Sequence, residues 1–152
     1  TRESKTTREK VLELGVSQIS GGSRTSVGGY VEEEEENSAQ FDVSDTRTLD
    51  EVVNWLLELG YIPSFCTACY REGRTGDRFM TLVKSGQIAN CCQPNALMTL
   101  KEYLVDYASE DTRRKGEAVI PEELKRGTSD KIRAIAARNL EEIEHGKRDF
   151  RF

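Results

Sequence analysis

All four cysteines of this chain fall between Cys66 and Cys92, and three of them read C-x2-C-x22-C: Cys66, Cys69 and Cys92. No other feature constrains the fold so strongly. A two-residue gap lets two thiolates turn toward one centre. The long gap brings a third from a separate element, so the chain between must fold back on itself. Three thiolates leave a four-iron cluster with one iron not held by cysteine, or a zinc ion with one open position. An open position is where a small ligand binds. Cys91 adjoins Cys92, so spacing alone leaves two choices for the third ligand. Neighbouring side chains point in different directions, which makes both on one metal unusual.

Spacing leaves iron–sulfur, structural zinc and no metal all open. Structural zinc wants four ligands, commonly as two close pairs, and Cys91-Cys92 has no residue between its members. The single histidine, His145, lies far along the chain and reads as a surface residue near a helix C-terminus. A thiol–disulfide reading of Cys66-Thr67-Ala68-Cys69 wants a strand before it and a helix after, and here a loop rich in Gly and Arg follows. The opening TRESKTTREK is polar and charged, unlike a secretion signal. Clustered cysteines without such a signal favour a reducing, cytoplasmic compartment and metal binding over disulfides.

The chain has 152 residues, enough for one domain or for one domain plus a piece of another. It opens on Thr1-Arg2-Glu3 without an initiator methionine and looks like the inside of a larger protein. Charged residues make up 32%, hydrophobic ones 36%, and the net charge is -5, which reads as a soluble protein with a modest core. The acidic balance argues against broad nucleic-acid binding. No apolar run approaches a membrane span.

Residues 4–14 read as a short helix capped by Ser4, Thr6 or Thr7, with Val11, Leu12 and Leu14 inside and Gly15 at its end. Val16 to Ser20 alternates like a strand. The loop that follows, from Ser20 to Tyr30, carries two glycine pairs. Amides of Gly21 and Gly22 with the fork of Arg24 could cradle an anion, although an ordinary turn has the same composition. Helix, strand and glycine-rich loop are one α/β repeat of a barrel, whose ligand sites lie at the C-terminal strand ends. Glu32 to Glu36 reads as a solvated run.

Thr48 or Asp50 caps a helix to about Leu59, with Val52, Val53, Trp55, Leu56 and Leu59 inside and Gly60 at its end. Residues 61–65 are extended, because Pro63 disfavours helix at Ile62. Thr75 or Asp77 caps a short helix through Val83. Pro94 fits the first turn of a helix that buries Leu97, Leu100, Leu104 and Tyr107. Cys92 would then precede a helix start whose free amides could donate to cluster sulfurs. Residues 111–118 and 121–126 read as two short helices, the second led by Pro121. Ser129 or Asp130 starts a last helix with Ile132, Ile135, Ala136, Leu140 and Ile143 inside. His145 to Phe152 reads as an arm.

From Gly60-Tyr-Ile-Pro-Ser-Phe-Cys66-Thr-Ala-Cys69 through Met80 to Cys92, the chain resembles the C-terminal region of the radical S-adenosylmethionine tyrosine lyases that mature [FeFe]-hydrogenase, the 2-iminoacetate synthases. Gly15-Val-Ser-Gln-Ile-Ser-Gly-Gly-Ser-Arg-Thr-Ser-Val-Gly-Gly-Tyr30 is similar to the end of their barrel, and to that of the thiamine-pathway tyrosine lyases. The latter lack the C-terminal cysteine triad, so the triad makes the match specific.

The resemblance implies an α/β fold: the last part of a TIM-like barrel (residues 1–31), an acidic connection (32–47) and a mostly helical auxiliary-cluster domain (48–152). It implies that Cys66, Cys69 and Cys92 hold an auxiliary [4Fe-4S] cluster carrying an extra iron, with Cys91 a bystander. It implies an enzyme that splits tyrosine into p-cresol and dehydroglycine and gathers carbon monoxide and cyanide from the latter on iron. Arg2, Ser20 and Arg24 become candidates at the barrel mouth for tyrosine or the methionine part of S-adenosylmethionine. A second [4Fe-4S] cluster and S-adenosylmethionine would belong to an N-terminal barrel portion, because no C-x3-C-x2-C is present here. Other hydrogenase maturation proteins are the expected partners. The contrasting reading is a zinc-stabilised, non-enzymatic interaction module.

Overall fold

The computed structural model describes residues 2–26, 28–31, 39–127 and 129–152. The chain divides into two compact units, Thr1–Val53 and Asn54–Phe152.

In the first unit, α1 (Lys5–Glu13) starts where the Ser4 hydroxyl accepts from the Thr7 amide. It buries Leu12 and Arg8, while Leu14, expected inside, is 84% exposed. Arg8 donates to the Asp45 carboxylate and to the Ser20 carbonyl. Arg47 meets the same carboxylate through Nε at 2.9 Å and Nη2 at 2.6 Å. Asp45 is buried, and its pairing with Arg47, aided by Arg8, holds its carboxyl far below the usual carboxylate range against the opposing pull of burial. This buried knot ties α1 to the glycine-rich loop and to residues 45–47.

Among the described residues there is no strand. The segment Val16–Ser20 is irregular, and pairing is limited to one isolated bridge, Ser26 with Ala39. The α/β expectation therefore fails locally: a barrel strand needs a neighbour to share its backbone hydrogen bonds. The glutamate run Glu32–Glu36 lies outside the described residues.

Helix α2 (Leu49–Glu58) begins with a capping box. The Thr48 amide donates to Glu51 Oε2 at 2.7 Å, and the Glu51 amide returns a bond to Thr48 Oγ1 at 3.3 Å. Val52, Val53, Trp55, Leu56 and Leu57 are buried. Leu59 lies past the helix end and is exposed, so the stripe ends one residue pair earlier than its periodicity suggests.

The second unit is helical throughout its regular parts: α3 (Ala68–Arg71), α4 (Gly76–Lys84), α5 (Ala89–Asp106), α6 (Glu110–Lys125) and α7 (Asp130–Glu144). Its core is α5 packed between α6 and α7. Leu97, Met98, Leu100, Leu104, Ala136 and Ile143 are almost wholly withdrawn from water, the Leu, Met and Ile side chains contributing about 1.5–3 kcal/mol each. Lys101, also buried, reaches Glu117 at 2.5 Å and Glu144 at 2.6 Å, pinning the three helices together. Tyr107, expected on this face, is exposed just beyond α5.

Both proline expectations fail in the same way. Pro94 lies inside α5, whose first turn runs back to Ala89. Pro121 lies inside α6, which is one continuous helix across the predicted break. Packing of α5 and α6 against each other outweighs the lost hydrogen bond at each proline. The segment after α7 is no free arm. Phe152 N–H donates to Asn95 Oδ1 at 2.9 Å, Asp149 N–H to Glu102 at 2.8 Å, and Arg148 Nε to Asp106 at 2.8 Å.

Candidate metal centre

The cysteine site is built from three pieces of the second unit. The first is the extended approach to Cys66. Phe65 stacks on Tyr103 with ring centroids 5.0 Å apart, and its amide donates to Thr99 Oγ1 at 3.2 Å. Both partners lie on α5, so the approach is laid along the helix that carries Cys92.

The second piece is α3. Thr67 makes no side-chain cap, and the sulfur of Cys66 accepts from the Ala68 amide at 3.4 Å instead. Cys69 is the second residue of this turn. The turn closes in a Schellman motif: Gly73 N–H bonds the Tyr70 carbonyl at 3.3 Å and Arg74 N–H the Cys69 carbonyl at 2.8 Å. Gly73 has φ 61°, a left-handed conformation that glycine adopts without strain. The motif fixes where Arg74 leaves the loop.

The third piece is the start of α5, which carries Cys91 and Cys92 on its first turn rather than ahead of it. The amides there are not free, contrary to the sequence expectation. Ala89 bonds Gly86, Asn90 bonds Gln87, and Cys91 and Cys92 both bond the Ile88 carbonyl. A tight turn preceding α5 consumes the donors that a bare helix end would offer.

The two adjacent cysteines have different surroundings. Cys91 is half-buried and accepts from Arg74 Nη1 at 3.3 Å. Cys92 is exposed as a residue, yet burial of its sulfur pushes the thiol upward. The Cys69 and Cys66 thiols push it further, Cys91 less so, and the Arg74 guanidinium opposes them. Cys92 thus shares an electrostatic neighbourhood with both members of the C-x-x-C pair. Among the described residues, no three His, Cys, Asp or Glu side chains converge as they would on a single ion. A cubane spreads its thiolates over separate irons, and a set of neighbouring thiols with an arginine beside it has the chemistry of an anionic thiolate cluster.

Arg2, Ser20 and Arg24 all belong to the first unit, and each engages a different partner. The Arg2 guanidinium lies over the Phe41 ring at 4.4 Å. Ser20 offers its carbonyl to Arg8. Arg24 Nη1 donates to the Ser23 and Thr46 carbonyls, each at 3.2 Å. Gly22, with φ 66°, would bring a Cβ within 3.0 Å of the Leu49 amide nitrogen, so close approach to the start of α2 accounts for that glycine. Sequence reasoning missed Arg8 and Asp45. A charged residue four positions before the buried Leu12, on the same helix face, was the available signal.

Residues 1–62 match the family model of the Biotin and Thiamin Synthesis associated domain. A comparison with curated proteins gives no match. Among solved structures, one described as the crystal structure of HydG, a maturase of the [FeFe]-hydrogenase, is 51% identical and superposes with a TM-score of 0.93. The alignment covers 100% of this chain and 33% of that one. The chain thus spans about a third of the length of that HydG structure, and over its whole length it corresponds to the C-terminal part of a HydG-type protein.

Proposed function

We propose that the chain is the part of a radical S-adenosylmethionine tyrosine lyase that carries the end of the barrel and an auxiliary [4Fe-4S] cluster held by Cys66, Cys69 and Cys92. The carrying observation is that Cys91 accepts from Arg74 Nη1 at 3.3 Å, which leaves Cys92, its neighbour on the first turn of α5, to join the C-x-x-C thiols. Successive helical residues point about 100° apart, so it would be unusual for both of the pair to join the C-x-x-C thiols. The similarity to a hydrogenase maturase supports the same assignment.

In the complete enzyme, tyrosine is split into p-cresol and dehydroglycine, and the latter yields carbon monoxide and cyanide. When bound, the auxiliary cluster supplies iron with coordination positions that cysteine leaves open, where those small ligands are gathered. The chain's own residues hold and orient. Cys66 and Cys69 present their thiolates from either side of the start of α3, and Cys92 presents a third from α5. Arg2, Ser20 and Arg24 are assigned to the barrel mouth, where a cation and hydrogen-bond donors suit a carboxylate. The product passes to other hydrogenase maturation proteins. Radical generation falls to the portion with the C-x3-C-x2-C motif, which this chain lacks.

Anaerobic reconstitution tests the reading. It should give a brown protein with about four irons at this site. Cys92→Ala should lose the cluster and Cys91→Ala keep it. Stoichiometric zinc without iron refutes the assignment, as does the reverse pattern of the two variants.

A further inference from the structure

Arg74 is the most heavily used side chain near the thiols. Its backbone amide closes the α3 turn on Cys69, its Nη1 donates to Cys91 Sγ at 3.3 Å, and its Nη2 donates to the Phe152 carbonyl at 2.5 Å. Its Nε is buried and has no hydrogen-bond partner among the described residues. A buried donor left unmade is costly and uncommon in native structures.

The segment after α7 does more than meet Arg74. Arg71 Nη2 pairs with Asp149 at 2.8 Å and Arg151 Nε with Glu72 at 2.7 Å. The chain turns at Asp149, with φ 68°. Beyond that turn Phe152 pairs with the buried Asn95 through both its N–H and its carbonyl, at 2.9 and 3.4 Å. Asn95 lies three residues past Cys92 on α5. The segment therefore bridges residues 71–74, which follow Cys69, to the helix of Cys92. Each exposed ion pair is weak by itself. Their common geometry is a strap with Arg74 as its inner fastening.

We propose that Arg74 is a positioning residue for the auxiliary cluster. With the 148–152 strap it holds the Cys66–Cys69 segment in register with α5, and its leftover Nε donates to a cluster sulfur. The second clause rests on the cluster reading given above. The first does not, because the strap is a property of the polypeptide. Hydrogen bonds to the sulfurs are among the factors that set a cluster's potential, so Arg74 links the position of the strap to the electronic state of the site.

The test uses Arg74→Gln, Asn95→Ala and the milder surface double variant R71A/R151A. In protein purified without metal, hydrogen exchange at the Glu72 and Arg74 amides should quicken at least about tenfold in all three, while α6 and α7 keep wild-type rates. After reconstitution, iron loss to a chelator should be several-fold faster in each. The electron paramagnetic resonance signal of the reduced auxiliary cluster should shift in Arg74→Gln alone, since of the substituted residues only Arg74 is proposed to donate to a cluster sulfur. If Arg74→Gln does not fold, the surface double variant decides the strap. Unchanged exchange at residues 72–74 in a folded variant overturns the strap. An unshifted signal in cluster-loaded Arg74→Gln overturns the sulfur contact. A wild-type protein that takes up no iron sinks the cluster reading and the sulfur contact together, and leaves the exchange result to decide the strap.

Discussion

Gly116 offers the sharpest test of the helical packing. It lies in the middle of α6, where glycine costs about 1 kcal/mol relative to alanine, so propensity alone favours Gly116→Ala. The structure predicts the opposite sign. A Cβ built at Gly116 would fall 2.4 Å from Leu104 Cδ1, 2.7 Å from Cδ2 and 3.1 Å from Cγ. Leu104 is 1% exposed, so its side chain has no open space into which to swing. Overpacking of this kind costs about 1–3 kcal/mol, which leaves a net loss of about 0–2 kcal/mol once the propensity gain is subtracted. Leu104→Ala alone should cost about 2–5 kcal/mol by opening a cavity. In the double variant the new methyl occupies part of that cavity, so the two losses should fall short of additivity by about 0.5–3 kcal/mol. Urea unfolding of the four proteins measures all three quantities. A Gly116→Ala protein stabilised by about 1 kcal/mol, with additive behaviour in the double variant, would refute the close approach of α6 to α5.

Asp45→Ala should cost about 3–5 kcal/mol, because it breaks a buried ion pair by removing the carboxylate that Arg8 and Arg47 share. The depressed native carboxyl makes this contribution full above about pH 4 and lost progressively as pH falls toward the native value, so wild type and variant should converge in acid unfolding curves. Thr48→Ala removes one half of the α2 capping box and should lower stability by about 1 kcal/mol, read by thermal unfolding. In the complete enzyme, loss of Cys66, Cys69 and Cys92 should suppress carbon monoxide formation more than p-cresol formation, assayed by haem trapping beside chromatography. Equal loss of both products would mean that this part of the chain mainly supports the barrel fold.

Helix starts were the most legible part of the fold. Ser4, Thr48 and Ser129 each cap as their local sequence predicts, because a cap is a contact between residues two or three positions apart. The prolines misled for the converse reason. Pro94 and Pro121 disfavour helix locally, and only the packing of α5 against its neighbours reverses that preference. The segment after α7 reads as an arm in sequence because its partners, Asn95, Glu102 and Asp106, lie more than 40 positions earlier. No window of sequence contains both ends of such a contact. The absent strand at Val16–Ser20 has the same origin: alternation reports a preference, and a ladder also requires a partner.

The site divides along the same line. Spacing was enough to bring Cys66, Cys69 and one of the adjacent cysteines into a single proposal, since a short gap and a returning chain follow from sequence distance alone. It could not choose between Cys91 and Cys92. The proposal of Cys92 rests on a helix start three residues ahead of it, which turns the two side chains apart, and on Arg74, which donates to Cys91. Arg74 was invisible as a participant because its role comes from the Schellman turn at Gly73 and from a carbonyl 78 positions away. The proposed cluster ligands can thus be written in spacing, whereas the residue proposed to hold them in register is set by the tertiary fold. Substitution at Arg74 should accordingly alter how the site is held while leaving its cysteine motif intact.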